Sequence, residues 1–110
     1  MEPPAYFQVT TAVASEVDAG RLAATLVERR LAACVQVVGP VTSTYWWQGR
    51  MQTEGEWLCL AKTTAAGLEP VMHAIRTEHS YDEPEITATP IVAGSPGYLH
   101  WLDAEVRPPE

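Results

Sequence analysis

The chain has 110 residues and a formal net charge of −7, from 7 Lys and Arg against 14 Asp and Glu. This length predicts one domain, residues 1–110, with one hydrophobic core. Affinity for nucleic acid depends on Lys and Arg that neutralise phosphates, so an acidic chain without a basic run excludes DNA and RNA as the main ligand. No apolar run approaches the ~20 residues that span a bilayer, and the first residues lack the positive region of a secretory signal. We therefore expect a cytoplasmic protein without a membrane partner.

The first half of the chain predicts two strands separated by a helix. Residues 6–11 are rich in β-branched and aromatic side chains, which favours a strand. Ser15 is a good N-cap for a helix over residues 15–30, whose apolar residues recur at helical spacing. Residues 33–47 resume the strand pattern, and the Gly-Pro step at 39–40 predicts a bend or a bulge rather than an end.

The second half predicts the return strand of a hairpin, a helix, a further strand and a terminal helix. These elements are a turn at 48–50, a strand over 55–63, a helix over 64–78, a strand over 85–92 and a helix over 97–104. Ser95 and Pro96 are suited to begin the last helix, as N-cap and first helical residue. The resulting order, β-α-β-β-α-β with a short C-terminal helix, predicts an α+β fold of the ferredoxin-like type, with two helices on one face of an antiparallel sheet.

The long strand over residues 33–47 indicates an oligomer. At roughly 3.3 Å per residue it would span on the order of 50 Å, more than a domain of this size can cover. The neighbours Trp46 and Trp47 point to opposite faces of the strand, and one small core cannot bury both rings. An overhanging hairpin with exposed aromatic rings and free edges favours a closed homo-oligomer, in which a second copy covers it.

A polar stretch after the second predicted helix is the first place to look for a functional site. His79, one tyrosine and three carboxylates fall within residues 79–85, and Pro84 holds the stretch out of a helix. The sequence contains no nucleophile elbow, phosphate-binding loop, zinc-protease motif or dinucleotide-binding turn. We therefore do not expect an enzyme, and we expect no obligatory cofactor.

Six motifs, in order along the chain, carry a resemblance to a known family: Leu31-Ala32-Ala33-Cys34-Val35, Ser43-x-Tyr45-x-Trp47-x-Gly49, Glu56 through Lys62-Thr63, His79-x-Tyr81-x-x-Pro84-Glu85-Ile86, Pro90-Ile91-x-x-Gly94 and Tyr98-Leu99-x-Trp101. With them the chain resembles the divalent-cation tolerance (CutA) family over nearly all of its length. The resemblance implies a ferredoxin-like subunit that forms a tight homotrimer through exchanged hairpin strands, similar in architecture to nitrogen-regulatory PII proteins. It also implies a role in tolerance to copper and other divalent cations, with copper as a ligand of some members.

Two side chains could ligate copper, the imidazole of His79 and the thiol of Cys34, which offer a borderline and a soft donor. The alternatives are that Cys34 fills space in a strand, as Cys59 is expected to do in the core, and that His79 is a cation at the end of a helix. Some bacterial members of the family carry Cys in place of Thr11 and a second His in place of Glu78. Only His79 of their proposed ligand set is present, so the expectation is weak, pH-dependent copper binding centred on that residue.

A second hypothesis is a signalling trimer of the PII type that binds a small molecule in clefts between subunits. Lys62, Tyr81, Glu85 and Trp47 are the residues predicted to line such a cleft. The alternative is that Lys62 and Glu85 form a buried salt bridge beside a hydrogen-bonded Tyr81. In that case the protein would be a structural scaffold without a ligand.

Overall fold

Seven elements of secondary structure occur in residues 2–109, the part of the chain that the computed structural model describes. They are β1 (Tyr6–Val13), α1 (Glu16–Glu28), β2 (Cys34–Trp47), β3 (Arg50–Thr64), α2 (Ala65–Glu78), β4 (Thr87–Pro90) and α3 (Pro96–Glu105). The strands form one antiparallel sheet in the order β2-β3-β1-β4. The predicted α+β fold and its order of strands and helices are confirmed.

The first helix begins at its predicted cap, Ser15, and the second is capped by Thr64, the first residue of the predicted helix. The hydroxyl oxygens of Ser15 and Thr64 each accept a hydrogen bond from the backbone N–H three residues later, at 3.1 and 3.2 Å. The third helix begins at Pro96 as predicted, but the Ser95 side chain makes no capping hydrogen bond. No helix within residues 2–109 is long and apolar enough to cross a membrane.

Helix α1 ends at Glu28 rather than at the predicted residue 30. Arg30 has a φ of 61°, in the left-handed region, which turns the chain out of the helix. The N–H of Arg30 donates to the carbonyl of Val27, and the N–H of Leu31 donates to that of Leu26, both at 3.0 Å. These two bonds form a Schellman cap without the usual glycine, which is why the sequence did not indicate the end.

One face of the sheet packs against α1 and α2. Val9 of β1 and Ala61 of β3 are partners in register, and both are fully buried. Leu26 of α1 and Ile75 of α2 are fully buried in the same core cluster. Burying side chains of this size stabilises the fold by about 1.5–3 kcal/mol each, so this layer provides most of the hydrophobic stabilisation. Cys59 lies in the core as predicted, and burial raises the pKa of its thiol.

The hairpin of β2 and β3 turns at Gln48 and Gly49, whose φ angles are 51° and 78°. Two consecutive left-handed residues are typical of a type I′ turn, which matches the twist of the strands it joins. The register shifts between Val38 and Val41, which confirms the bulge predicted at 39–40. Strand β3 begins at Arg50 rather than at the predicted residue 55, because residues 50–54 already pair with β2.

The hairpin extends beyond the rest of the sheet. Strand β1 pairs with β3 only along residues 57–64, so within the described chain residues 41–47 and 50–56 form a two-stranded ribbon without a third strand. We call this part the distal ribbon. Trp46 and Trp47 lie in it on opposite faces and are 74% and 47% exposed. The predicted overhang is therefore confirmed, and neither indole ring is buried within the chain.

Strand β4 covers residues 87–90 instead of the predicted 85–92. Thr87 pairs with Thr10 of β1, so the next pair on the same face would join Glu85 to Ala12. The carbonyl oxygen of Ala12 instead accepts a hydrogen bond from the His79 ring, at 2.8 Å. The ladder therefore stops at Thr87, since its next acceptor is already in use.

Candidate functional site

An open cleft of about 860 Å³ lies where the distal ribbon leaves the sheet. One wall is the ribbon, and the other is the polar stretch that connects α2 to β4. The cleft is lined by Ala12, Ser43, Thr44, Tyr45, Trp47, Gln52, Glu54, Glu56, Ser80, Tyr81, Asp82, Glu83 and Glu85. The predicted site stretch and the overhanging hairpin, which are separate features of the sequence, thus form one concave surface.

The strand period places the ribbon's polar side chains on the cleft side. Side chains two residues apart on a strand share a face, and the register then pairs them across the hairpin. Ser43 is the partner of Glu54, and Tyr45 is the partner of Gln52. The face towards the cleft therefore alternates hydroxyl, aromatic, amide and carboxylate groups, whereas Trp46 points away from it.

Glu56 is the most deeply placed carboxylate of the cleft, with 8% of its surface exposed. Its Oε2 accepts a hydrogen bond of 2.9 Å from the Tyr81 hydroxyl. Partial burial of the phenol, and then its bond to the Glu56 carboxylate, raise the pKa of Tyr81 well above its ordinary value. The phenol therefore stays protonated and donates its hydrogen to Glu56 without bringing a positive charge to this carboxylate.

A second pair of the same chemistry lies two residues along the strand. The Tyr45 hydroxyl donates a hydrogen bond to Oε1 of Glu54. This bond is the main cause that raises the pKa of Tyr45. Both partners of this pair are exposed, unlike Glu56. The cleft thus carries two tyrosine–glutamate pairs side by side, one deep and one at the surface.

His79 is held as a structural side chain by both of its ring nitrogens. The backbone N–H of Tyr81 donates to Nδ1 at 3.1 Å, and Nε2 lies 2.8 Å from the carbonyl oxygen of Ala12. A backbone N–H can only donate and a carbonyl can only accept, so Nε2 carries the proton and Nδ1 the lone pair. The ring also packs on that of Tyr81, with centroids 4.7 Å apart. A metal could bind Nδ1 only if the Tyr81 hydrogen bond were broken.

Three of the four residues predicted to line a ligand cleft come together in one chain. Trp47, Tyr81 and Glu85 line the cleft described above. Lys62 does not join them, because its ammonium group donates to Oε1 of Gln36 at 2.6 Å, at the other end of the sheet. Within residues 2–109 no salt bridge joins Lys62 to Glu85, and the partner of Tyr81 is Glu56.

The two predicted copper ligands lie at different ends of the sheet. Cys34 is the register partner of Lys62, which in turn pairs with Gln8 of β1. His79 contacts Ala12, four residues further along β1, which at roughly 3.3 Å per residue separates the two regions by about 13 Å. They cannot bind one ion together within a subunit.

No group of three His, Cys, Asp or Glu side chains in the described part of the chain is placed to hold a metal ion. Thr11 is fully buried, and its hydroxyl has no hydrogen-bond partner among residues 2–109. It lies on the helix side of the sheet as the register partner of Cys59, away from the cleft.

Sequence reasoning missed the carboxylates of the distal ribbon as members of the site. The available signal was the alternation of Gln52, Glu54 and Glu56, which puts all three side chains on one face of β3. Their cross-strand neighbours Ser43 and Tyr45 lie on the same face of the hairpin. A carboxylate at position 56, inside a predicted strand whose last half is nearly all apolar, was a second signal. Neither indicates that the α2–β4 connection folds back against the ribbon.

The family model for the CutA1 divalent ion tolerance protein matches residues 7–105 of the chain. The chain belongs to the CutA1 family. A curated relative, the divalent-cation tolerance protein CutA of Thermus thermophilus, is 44% identical over 94 residues, which are 86% of this chain and 91% of that protein. The chloroplastic protein CutA 1 of rice, Oryza sativa, is 40% identical over 87 residues, which are 79% of this chain and 49% of that protein.

The fold is also that of solved CutA1 structures. The crystal structure of CutA1 from Oryza sativa superposes with a TM-score of 0.91 at 36% identity, and the match covers 94% of this chain and 95% of that one. The chain spans about half the length of the curated plant relatives that it matches. The family resemblance predicted from the six motifs is therefore confirmed.

Proposed function

We propose that this CutA1-family protein acts in the cytoplasm as a homotrimer without enzymatic activity and binds divalent cations, copper among them, weakly at the acidic cleft. One observation carries the proposal. Among the described residues, the lining of the cleft includes five carboxylates and no Lys, Arg or His. Carboxylate oxygens attract hard divalent cations, and a surface with one sign of charge concentrates them.

The donors support weak rather than tight binding. A closed, selective metal site needs several ligands that converge on one point, and residues 2–109 contain no such group of three. The carboxylates of Asp82, Glu83 and Glu85 are exposed on a loop, so a bound ion would keep most of its water. The lone pair of His79 is already used by the Tyr81 N–H, and Cys34 would act as a single donor.

The distal ribbon supports a trimer. Strand β3 presents an unpaired edge along residues 50–56 of the described chain, and exposed strand edges attract pairing with another chain. Trp46 on one face and Trp47 on the other would lose contact with water if a second copy covered the ribbon. In a closed assembly each exposed strand edge is paired with a neighbouring subunit, so none is left free. For this reason we prefer a closed trimer to an open chain of subunits.

The second candidate function is a signalling trimer that binds a small molecule, and one observation favours it. Trp47, Tyr81 and Glu85 do line a common cleft, as the small-molecule hypothesis requires. Lys62 could take part only from a neighbouring subunit, since within one chain it pairs with Gln36. An anionic ligand would need the Lys62 ammonium group of a neighbouring subunit, whereas a cationic ligand could bind the carboxylates of one chain.

Isothermal titration calorimetry of the purified protein with copper tests the metal part of the proposal. We expect weak binding that falls several-fold when Asp82 and Glu85 are changed together to Asn and Gln, and that is unchanged in Cys34→Ser. Glu69→Gln is the control, because Glu69 is an exposed carboxylate of α2 outside the cleft. If His79→Ala alone removes copper binding and the carboxylate variants do not, the ion binds the imidazole and this assignment is wrong.

Sedimentation equilibrium tests the assembly separately. The expected mass is three times that of the 12.1 kDa chain, at low and at high salt. Salt independence follows because apolar burial and main-chain pairing, rather than charge, would have to hold together subunits that repel one another. A folded monomer at micromolar concentration would contradict the trimer.

A further inference from the structure

Both ring nitrogens of His79 are used inside the chain, and only the neutral ring fits both contacts. Nε2 donates to the carbonyl oxygen of Ala12 on β1 at 2.8 Å. Nδ1 accepts the backbone N–H of Tyr81 at 3.1 Å. The first bond needs a proton on the nitrogen, and the second needs a lone pair. A charged ring has a proton on each nitrogen, so it can make the first bond but not the second.

These two bonds link the connection between α2 and β4 to the rest of the subunit. His79 directly follows α2, and its backbone N–H donates to the carbonyl of Ile75 in the last turn of that helix. Its ring also packs on that of Tyr81, with centroids 4.7 Å apart. The Tyr81 hydroxyl in turn donates to Glu56 of the distal ribbon. A series of three hydrogen bonds therefore leads from β1 through His79 and Tyr81 to the ribbon.

Charges of both signs face the half-buried imidazole. Asp18 and Arg21 of α1 and Glu78 of α2 line a small pocket of about 100 Å³ beside His79. Each of the two carboxylates also pairs with an arginine, at 3.6 and 3.3 Å. From the connection itself the titratable neighbour is Tyr81, which stays neutral because burial raises the pKa of its phenol. The carboxylates in the pocket offer acceptors to a charged ring, whereas the Tyr81 N–H offers only a second donor.

We infer that His79 is a pH-dependent clamp on residues 79–85. Histidine is the side chain that gains its charge between about pH 8 and 5. Protonation of Nδ1 places a donor against the N–H of Tyr81, and two donors cannot share a hydrogen bond, so this bond breaks. The connection is then released from the ring, and the Tyr81 hydroxyl loses the support that holds it on Glu56. The change depends on hydrogen bonds within one chain, so it does not require a ligand in the cleft.

Asparagine at this position separates the charge of the ring from its contact with Tyr81. The side-chain oxygen of asparagine accepts a hydrogen bond from the N–H two residues later, which is the bond that Nδ1 accepts here. The amide gains no proton in this pH range. His79→Asn gives up the bond to Ala12, because its side chain is shorter, but it should keep Tyr81 held at every pH.

A pH titration of the full chain, followed by nuclear magnetic resonance with a chelator present, tests the inference. From pH 8 to 5 the amide proton of Tyr81 should shift with the same midpoint as the ring protons of His79. Its exchange with solvent, corrected for the intrinsic effect of pH, should become about tenfold faster, as expected for the loss of one hydrogen bond. In His79→Asn neither quantity should change. His100→Asn is the control, because His100 is exposed on α3, and it should respond like the unmodified protein.

Three results would each overturn the inference. These are a Tyr81 amide that does not respond between pH 8 and 5, a response whose midpoint differs from that of the His79 ring, and a response that persists in His79→Asn. The first two are measured on the unmodified protein, so they decide the matter even if the variant is unstable.

Discussion

The two halves of the β2–β3 hairpin are both regular pairs of strands but have opposite environments. Near the base, Cys59 and Ala61 of β3 lie between β1 and β2 and are covered by helices. In the distal ribbon, residues as apolar as Trp46 and Met51 are 74% and 67% exposed, although they are register partners in a regular strand pair. Strand formation therefore does not require burial within the chain. The base supplies stability to the subunit, and the ribbon supplies surfaces for a ligand or a second copy.

The largest expected effect compares a core residue with a ribbon residue of similar size. Leu26→Ala removes a fully buried side chain and should lower the free energy of unfolding by about 2–5 kcal/mol. Met51→Ala should change it by less than ~0.5 kcal/mol, because that side chain lies in water. Urea unfolding at one protein concentration measures both. Equal losses would mean that the ribbon is as well covered as the core.

The next effect tests whether another copy covers the ribbon. Trp47→Ala should weaken subunit association by about 2 kcal/mol, roughly 30-fold in the dissociation constant, as expected of an aromatic residue at the centre of an interface. Met51→Ala is the control in the same ribbon and should have a much smaller effect. Sedimentation over a range of concentrations compares them. Indistinguishable assembly of the two variants would show that Trp47 is not at an interface.

A smaller effect compares the two tyrosine–glutamate pairs. Tyr81→Phe leaves the buried Glu56 without its donor and should destabilise the fold by about 1–2 kcal/mol. Tyr45→Phe removes the same type of bond to Glu54 in an exposed setting, where water replaces it, and should cause no measurable change. Thermal or urea unfolding of the two variants decides. If Tyr45→Phe lowered the free energy of unfolding as much as Tyr81→Phe, burial of Glu56 would not explain the effect of Tyr81→Phe.

The same pair predicts a dependence on alkaline pH. The pKa of Tyr81 is raised in the folded protein, so the unfolded chain ionises first as pH rises. The contribution of this phenol to stability is therefore complete below about pH 10 and decreases above it. Unfolding of the Tyr81→Phe variant, measured over the same pH range, should lack that part of the decrease.

The last comparison is between two fully buried threonines on the helix side of the sheet. The Thr63 hydroxyl donates to the carbonyl of Leu31 at 2.7 Å, whereas the Thr11 hydroxyl has no partner among residues 2–109. Thr63→Val should cost about 1–2 kcal/mol, because it leaves a buried acceptor unpaired. Thr11→Val should be neutral or stabilising by up to about 1 kcal/mol. A clear loss in Thr11→Val would indicate a partner for its hydroxyl, such as a bound water.

Much of the fold could be predicted because its determinants are local. Ser15 and Thr64 cap helices through bonds to residues three positions away, and the bulge at 39–40 follows from a Gly-Pro step within a strand. The turn at Gln48-Gly49 needs only its own backbone conformation. The end of α1 was missed for a local reason, since Arg30 takes the left-handed conformation usually adopted by glycine, whereas the error in β4 occurs where a distant group intervenes. Strand β4 is short because the His79 ring occupies the carbonyl of Ala12, which lies 67 positions away in sequence.

The candidate site shows the same division. By itself the sequence determined that residues 79–85 are polar, that Pro84 keeps them out of a helix, and that Trp47 and Glu56 lie in strands. Only the tertiary structure decided that this stretch faces the distal ribbon, that Tyr81 meets Glu56, and that Lys62 lies elsewhere. The physical reason is that caps, turns and strand faces depend on neighbours along the chain. The pairing of a phenol with a carboxylate 25 positions away depends on how the packed elements orient the segments between them.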